Sequence, residues 1–199
     1  MENHSIDPTW CLIHATQMNA SETKKLAQSG AIAGLCPITE SNLGDGIFNG
    51  EHYQQDQGAW GIGTDSNVRI SLSEELRTLE YSQRLRDKGR AIYANEKLST
   101  GRVLLDAALS GGAQALQRNS GSIQNGKLAD LMALDINSPS FLAVDLDNWL
   151  DAWIFANDDR LIADVWSSGQ HVVENGKHIH REQIESNYRK TLSSLRTLL

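Results

Sequence analysis

Apolar residues along the chain fall in short runs separated by polar stretches of helical texture. Residues 10–15 read Trp-Cys-Leu-Ile-His-Ala, a brief run without alternation, as in a parallel strand buried on both faces. A helix follows: Asn19 or Ser21 can cap it, Lys24, Leu26 and Ala27 favour it, and Gly30 suits a left-handed end. Residues 31–36 repeat the strand signal, and Pro37 closes it. Residues 39–46 are dense in turn formers and read as a loop. After a polar helical stretch over residues 51–57, residues 59–63 make a third short strand that runs into Thr64-Asp65-Ser66-Asn67. Ser73-Glu74-Glu75 opens a long helix to Arg86, with Leu72, Leu76, Leu79 and Leu85 tracing one apolar face.

Three strands alternating with helices predict βα units in a parallel sheet. Residues 102–116 predict an Ala-rich helical pair broken at Gly111-Gly112. The texture then changes. Residues 131–135, 152–156 and 162–166 are short and strand-like, and Asn175-Gly176 after His171-Val172-Val173 is a hairpin turn signal. The tail over residues 182–199 reads as an amphipathic helix. The expected organisation is an α/β part over residues 1–120, an antiparallel β part over 121–180, and a carboxyl-terminal helix over 181–199.

With 199 residues, 40% of them hydrophobic, the chain can bury a core. A net charge of -7 argues against nucleic acid or an anionic membrane as partner, because those surfaces reward clustered Lys and Arg. Met-Glu-Asn-His-Ser-Ile-Asp-Pro has neither the charged nor the apolar region of a signal peptide, and no apolar run reaches spanning length. A cytoplasmic location is therefore expected. Cys11 and Cys36 lie in apolar stretches without CxxC spacing, which favours two reduced thiols.

In parallel α/β sheets, active sites form beyond the carboxyl ends of strands. His14 closes the first strand and Asp65 the third. A neutral imidazole binds metal or carries a proton, and a carboxylate ligates zinc while accepting a proton from bound water. Together they suit metal-assisted hydrolysis. A strand-end histidine is equally a hydrogen-bonded structural residue, and Asp before Ser commonly caps a helix. From the residues alone both readings stay open.

Residues 10–16, Trp-Cys-Leu-Ile-His-Ala-Thr, 34–46, Gly-Leu-Cys-Pro-Ile-Thr-Glu-Ser-Asn-Leu-Gly-Asp-Gly, and 61–66, Gly-Ile-Gly-Thr-Asp-Ser, resemble the last three barrel strands of the formimidoylglutamate deiminase family. The similarity continues through Glu74–Leu85, Gly111–Leu116 and Gly126-Lys-Leu-Ala-Asp-Leu131, the last of which marks only the wider amidohydrolase superfamily. The resemblance implies the carboxyl-terminal part of a TIM-like (β/α)8 amidohydrolase barrel plus part of a small β-sandwich domain. It implies a zinc-dependent deimination of N-formimidoyl-L-glutamate to N-formyl-L-glutamate and ammonia, in histidine degradation. His14 matches the family's sixth-strand histidine, which polarises the reacting group and moves protons. Asp65 matches the eighth-strand aspartate, a metal ligand that takes a proton from the nucleophilic water. Glu40 and Asn42 fall in the seventh-strand loop and are expected to shape the pocket, while Ser66 orients Asp65.

Departures limit the transfer. Gln17 and Asn67 stand where relatives often carry histidine. No His-x-His follows an early strand, no fifth-strand histidine with its nearby Glu precedes His14, and His178-Ile-His180 reads as a surface turn. The chain is therefore expected to be inactive alone. It would work with an amino-terminal half of the barrel as partner, on a small-molecule substrate, as a homo-oligomer when complete. Another amidohydrolase-superfamily deaminase, or a non-catalytic partner subunit with a vestigial site, remains the alternative. Arg69, Arg77 and Arg84 are candidate grips for the substrate's carboxylates, although a helix more often turns Arg77 and Arg84 to solvent.

Overall fold

A computed structural model describes residues 4–145 and 148–197. The chain resolves into two compact units, one of residues 1–127 and 136–159, the other of residues 128–135 and 160–199.

The first unit is built on a three-stranded parallel sheet in the order β1-β2-β3, comprising Cys11–Ile13, Ile32–Leu35 and Ala59–Ile62. Its register pairs Ile13 with Gly34 and Gly34 with Gly61. The first helix, α1 (Ala20–Ser29), starts in a capping box. The Asn19 side chain accepts from Glu22 N–H, and the Glu22 carboxylate accepts from Asn19 N–H. It ends at Gly30, whose φ of 75° is the left-handed region glycine enters freely.

Four elements in this unit differ from the sequence expectation. Pro37 does close β2, but it also opens a helix, α2 (Pro37–Leu43), over a segment read as loop. Proline at the first helical position loses no hydrogen bond, and Gly44 ends the helix with φ 70°. The polar stretch beyond forms α3 (Gly50–Gln55). On α4 (Leu72–Asp87), Leu76 and Leu79 are buried, whereas Leu85 is 81% exposed and Glu75, Glu80 and Gln83 are buried in its place. These polar side chains bond backbone distant in sequence. Glu80 accepts from Ile92 and Tyr93 N–H, and Gln83 accepts from Gly50 N–H and donates to Phe48 C=O. The expected helical pair is one continuous helix, α5 (Thr100–Ala115), and its two glycines lie within it and do not break it.

The fourth difference is residues 152–156, which are not a strand. They lie in α6 (Trp149–Ala156), which buries Trp153 and Ile154 and packs against α4 and α5. A short apolar run is ambiguous between strand and buried helix, and tertiary packing decides it. Phe48, Tyr53, Trp60, Tyr93 and Leu104 fill the rest of this core.

The second unit holds an antiparallel sheet in the order β4-β5-β6-β7: Leu131–Leu134, Ile162–Ser167, Gln170–Glu174 and Lys177–His178. Asn175 and Gly176, with φ of 49° and 74°, form the expected two-residue turn between β6 and β7. The tail helix is α7 (Arg181–Arg196). Among the described residues, no helix is long and apolar enough to cross a membrane.

Candidate active site

His14 follows β1 and Asp65 follows β3, so both sit beyond the carboxyl edge of the parallel sheet, on the strands that flank β2. The two side chains meet there, with His14 Nε2 3.7 Å from Asp65 Oδ2. Each backbone bends sharply to allow it. His14 has φ 64° and Asp65 φ 40°, left-handed values that side chains other than glycine rarely adopt and that concentrate at functional sites. His14 N–H still donates to Gly34 C=O at 2.8 Å, which prolongs the β1-β2 ladder by one rung before the chain turns away.

The short helix α2 clamps both residues from β2. Glu40, in its first turn, lies with Oε1 3.2 Å from His14 Nδ1, and the same oxygen accepts from Cys36 N–H at 2.8 Å. Thr39, one residue earlier, pairs its hydroxyl with Ser66 Oγ at 2.9 Å and so ties down the turn that carries Asp65. Glu75 reaches in from α4 and accepts from Ile38 N–H at 2.9 Å. Two buried carboxylates thus satisfy backbone donors at the positive end of α2, which would otherwise be left unpaired.

The electrostatics follow from burial. Desolvation raises the Glu40 carboxyl above its ordinary range, opposed by bonds from Cys36 N–H and His14. Desolvation also pushes Glu75 up to about 7 and Cys36 up to about 11, in each case with nearby carboxylates adding to the rise. His14, Cys36 and Asp65 present donor atoms that all lie within 4.8 Å of one another. The sequence marks Cys36 only as a reduced thiol and Glu40 only as shaping the pocket. A proline one residue after the strand, with Glu three residues beyond it, was the signal that both sit at a helix start.

The other sequence candidates go elsewhere. Gln17 donates from its side chain to Asp45 C=O, and Asn67 accepts from the Thr64 hydroxyl, so both departures from histidine are absorbed into loop hydrogen bonds. Arg69 pairs with Glu74. Arg77 donates to Ile154 and Asn157 C=O, and Arg84 pairs with Glu80 and lies over the Tyr81 and Phe155 rings. Arg77 and Arg84 therefore serve the α4-α6 contact and are not turned to solvent. His178 closes β7, and His180, whose N–H donates to His178 Nδ1, precedes α7.

A zinc ion at this edge can be weighed against the donors present. Asp65, with its side chain 42% exposed, fits as one carboxylate ligand. His14 Nε2 stands beside it, and burial keeps the Cys36 thiol protonated. Catalytic zinc ordinarily takes three protein ligands, so the described residues fit part of a coordination sphere.

A parallel sheet with a histidine and an aspartate at its carboxyl edge is an arrangement of metal-dependent hydrolases, and residues 2–172 match the amidohydrolase family, to which the chain belongs. Over 98% of its length it is 46% identical to formimidoylglutamate deiminase of Pseudomonas aeruginosa, and it spans 43% of that enzyme. The match is to the enzyme's carboxyl-terminal half. Among solved structures, an amidohydrolase from Brucella melitensis superposes with a TM-score of 0.90 at 43% identity, over 98% of this chain and 43% of that one. An adenosine deaminase from Xanthomonas campestris with bound zinc shares the fold, with a TM-score of 0.83 at 24% identity, over 96% of this chain and 44% of that one.

Proposed function

We propose that this chain contributes the sixth- to eighth-strand edge of a formimidoylglutamate deiminase, hydrolysing N-formimidoyl-L-glutamate and water to N-formyl-L-glutamate and ammonia. The observation that carries the reading is the convergence of His14 and Asp65 at 3.7 Å beyond the sheet edge, in a chain with 46% identity to that enzyme. Bound zinc would supply a water acidified to a pKa of about 7. Asp65 would be one of its ligands.

The chain's own residues account for the proton movements. The amidine carbon gains an oxygen from water and loses its terminal nitrogen as ammonia. Both protons must therefore leave the water in turn, and the departing =NH nitrogen must gain two to leave as ammonia. Asp65, a partly exposed carboxylate, accepts the first. His14, 32% exposed and within 3.7 Å of that carboxylate, is placed to pass a proton toward the nitrogen. Thr39 and Ser66 hold the Asp65 turn in place while this happens.

The test is ammonia release from N-formimidoyl-L-glutamate with added zinc. It compares the chain alone, the chain co-expressed with the amino-terminal portion of the Pseudomonas relative that it does not span, and the same pair carrying Asp65→Asn. We expect no turnover alone, turnover with the added portion, and a loss of at least about 100-fold in the Asp65→Asn pair. Turnover of a purine or other amine in preference to the amidine would move the chain to another deaminase of the family. Full activity in Asp65→Asn would remove Asp65 from the chemistry.

A further inference from the structure

We propose that Glu40 is the positioning residue for His14, holding the ring in its Nδ1–H tautomer so that Nε2 is the basic nitrogen facing Asp65. The catalytic meaning of this rests on the deiminase reading above; the tautomer itself does not.

Glu40 Oε1 accepts from Cys36 N–H at 2.8 Å, a backbone N–H can only donate, and an ionised carboxylate has no hydrogen of its own to give, so in that form Oε1 is an acceptor only. His14 Nδ1 lies 3.2 Å from that same oxygen. A ring nitrogen that meets a committed acceptor must bring the hydrogen itself, so Nδ1 carries the proton. In a neutral imidazole the other nitrogen then holds the lone pair.

The arrangement is built to hold. Glu40 is 6% exposed, so water competes poorly for its oxygen. Its carboxylate folds back on the first turn of its own helix, and that helix begins directly after β2. His14 is fixed independently, through its N–H to Gly34 C=O on the same strand β2. One strand therefore positions both the backbone of His14 and the group that orients its ring.

The consequence lies on the far side of the ring. Nε2, with its lone pair, looks at Asp65 Oδ2 across 3.7 Å, which is too long for a direct hydrogen bond. Two acceptors face each other over a gap that a donor can bridge. A water or a substrate N–H placed there can give a hydrogen to either, and a proton taken by Asp65 has His14 Nε2 as its nearest basic neighbour. With the opposite tautomer, Nε2–H would donate toward Asp65 and the relay would have no vacant acceptor.

The test reads the tautomer directly, by nitrogen-15 NMR of the labelled 199-residue chain at a pH well above the ordinary histidine range. The His14 signals are assigned by their loss in His14→Gln. The expected wild-type result is a protonated Nδ1 and an unprotonated Nε2. Glu40→Leu, which removes the acceptor, should lose the Nδ1–H signal and shift to the Nε2–H form that a free histidine favours. Glu40→Gln keeps Oε1 for Cys36 N–H and should keep Nδ1–H. Should Glu40→Leu fail to fold, the wild-type and Glu40→Gln spectra still decide. Wild-type His14 in the Nε2–H form, or a folded Glu40→Leu that keeps Nδ1–H, overturns the proposal. In the co-expressed pair, Glu40→Leu should lower kcat by about 10- to 100-fold with little change in KM. Nδ1–H together with no ammonia release under any condition would sink the deiminase reading and leave the pairing of Glu40 with His14 standing.

Discussion

Gly111 on α5 lies against the carbonyl of Trp60 on β3, so closely that a Cβ built on it would fall 1.8 Å from that oxygen. The next residue, Gly112, would place its own Cβ in open space. A pair of glycines that the sequence presents as a helix break is a contact surface at one position and helix interior at the other.

Opposite outcomes are therefore expected for two chemically identical changes. Gly111→Ala must push α5 off the sheet and should cost about 1 to 3 kcal/mol, the range for overpacking a core. Gly112→Ala should stabilise by about 0.5 to 1 kcal/mol, because alanine loses less backbone freedom in a helix. Urea denaturation of both variants checks the pair, and equal destabilisation would show that the helix does not approach β3 as described.

Glu75 predicts a pH-dependent stability. Its carboxyl is pushed up from 4.5 to about 7, first by desolvation. Below the unfolded value both states keep the proton and the shift costs nothing. Between 4.5 and about 7 the unfolded chain ionises while the folded one does not, so stability falls as pH rises and levels off above. The loss reaches about 3 kcal/mol. Glu75→Gln should remove it, so melting curves of the two proteins should draw together in acid and separate toward pH 8, with the variant higher. Parallel curves across that range would refute the assignment.

Self-association is the third expectation. In the parallel sheet β1 and β3 are outer strands, and Trp10 just before β1 and Ile13 at its end are exposed apolar side chains. Open strand edges pair with other chains unless covered. Sedimentation of the purified chain at micromolar concentration should show concentration-dependent association, weakened by Ile13→Lys. A single monomeric species would mean that the edges are covered.

Thiol chemistry supplies the fourth. With Cys36 pushed up to about 11 by burial and neighbouring carboxylates, and Cys11 also raised by burial, neither is a ready thiolate at pH 8. A thiol-reactive disulfide reagent should modify Cys36 at least about 100-fold more slowly in the native chain than in urea. Rapid native labelling of Cys36 would show that the β2-α2 junction opens.

The β strands, a cap for α1 at Asn19 or Ser21 and the Asn175-Gly176 turn were legible because each rests on local chemistry: an apolar run, a side chain that caps, a residue that tolerates positive φ. The placement of His14 and Asp65 at strand ends was legible because strand ends are countable along the chain, whereas their choice as a candidate pair came from the family resemblance. What escaped depends on partners distant in sequence. Glu75, Glu80 and Gln83 occupy the buried face of α4 because they bond backbone distant in sequence, at the starts of α2 and α3 and in the loop after α4, and a hydrophobicity pattern assigns that face to Leu85 instead. Glu40 lies 26 residues from His14, and the segment between α1 and α3 had to be recognised as helical before the two could be placed together. Trp153 and Ile154 read as strand because the sequence does not say what surrounds an apolar run.

The parallel ladder also works as a ruler. His14 is referenced to Gly34 through β1 and β2, and Asp65 to Leu35 through the bond from Gly63 N–H, so both side chains are measured from adjacent residues of one central strand. Strand pairing changes only in whole residues, and a slip of one moves a group by about 3.3 Å and turns it to the opposite face. That step is nearly the whole separation of His14 from Asp65. The spacing between these two groups is consequently a discrete quantity, set by counting residues along the chain, with small adjustment left to side-chain rotation and none to gradual drift of the strands.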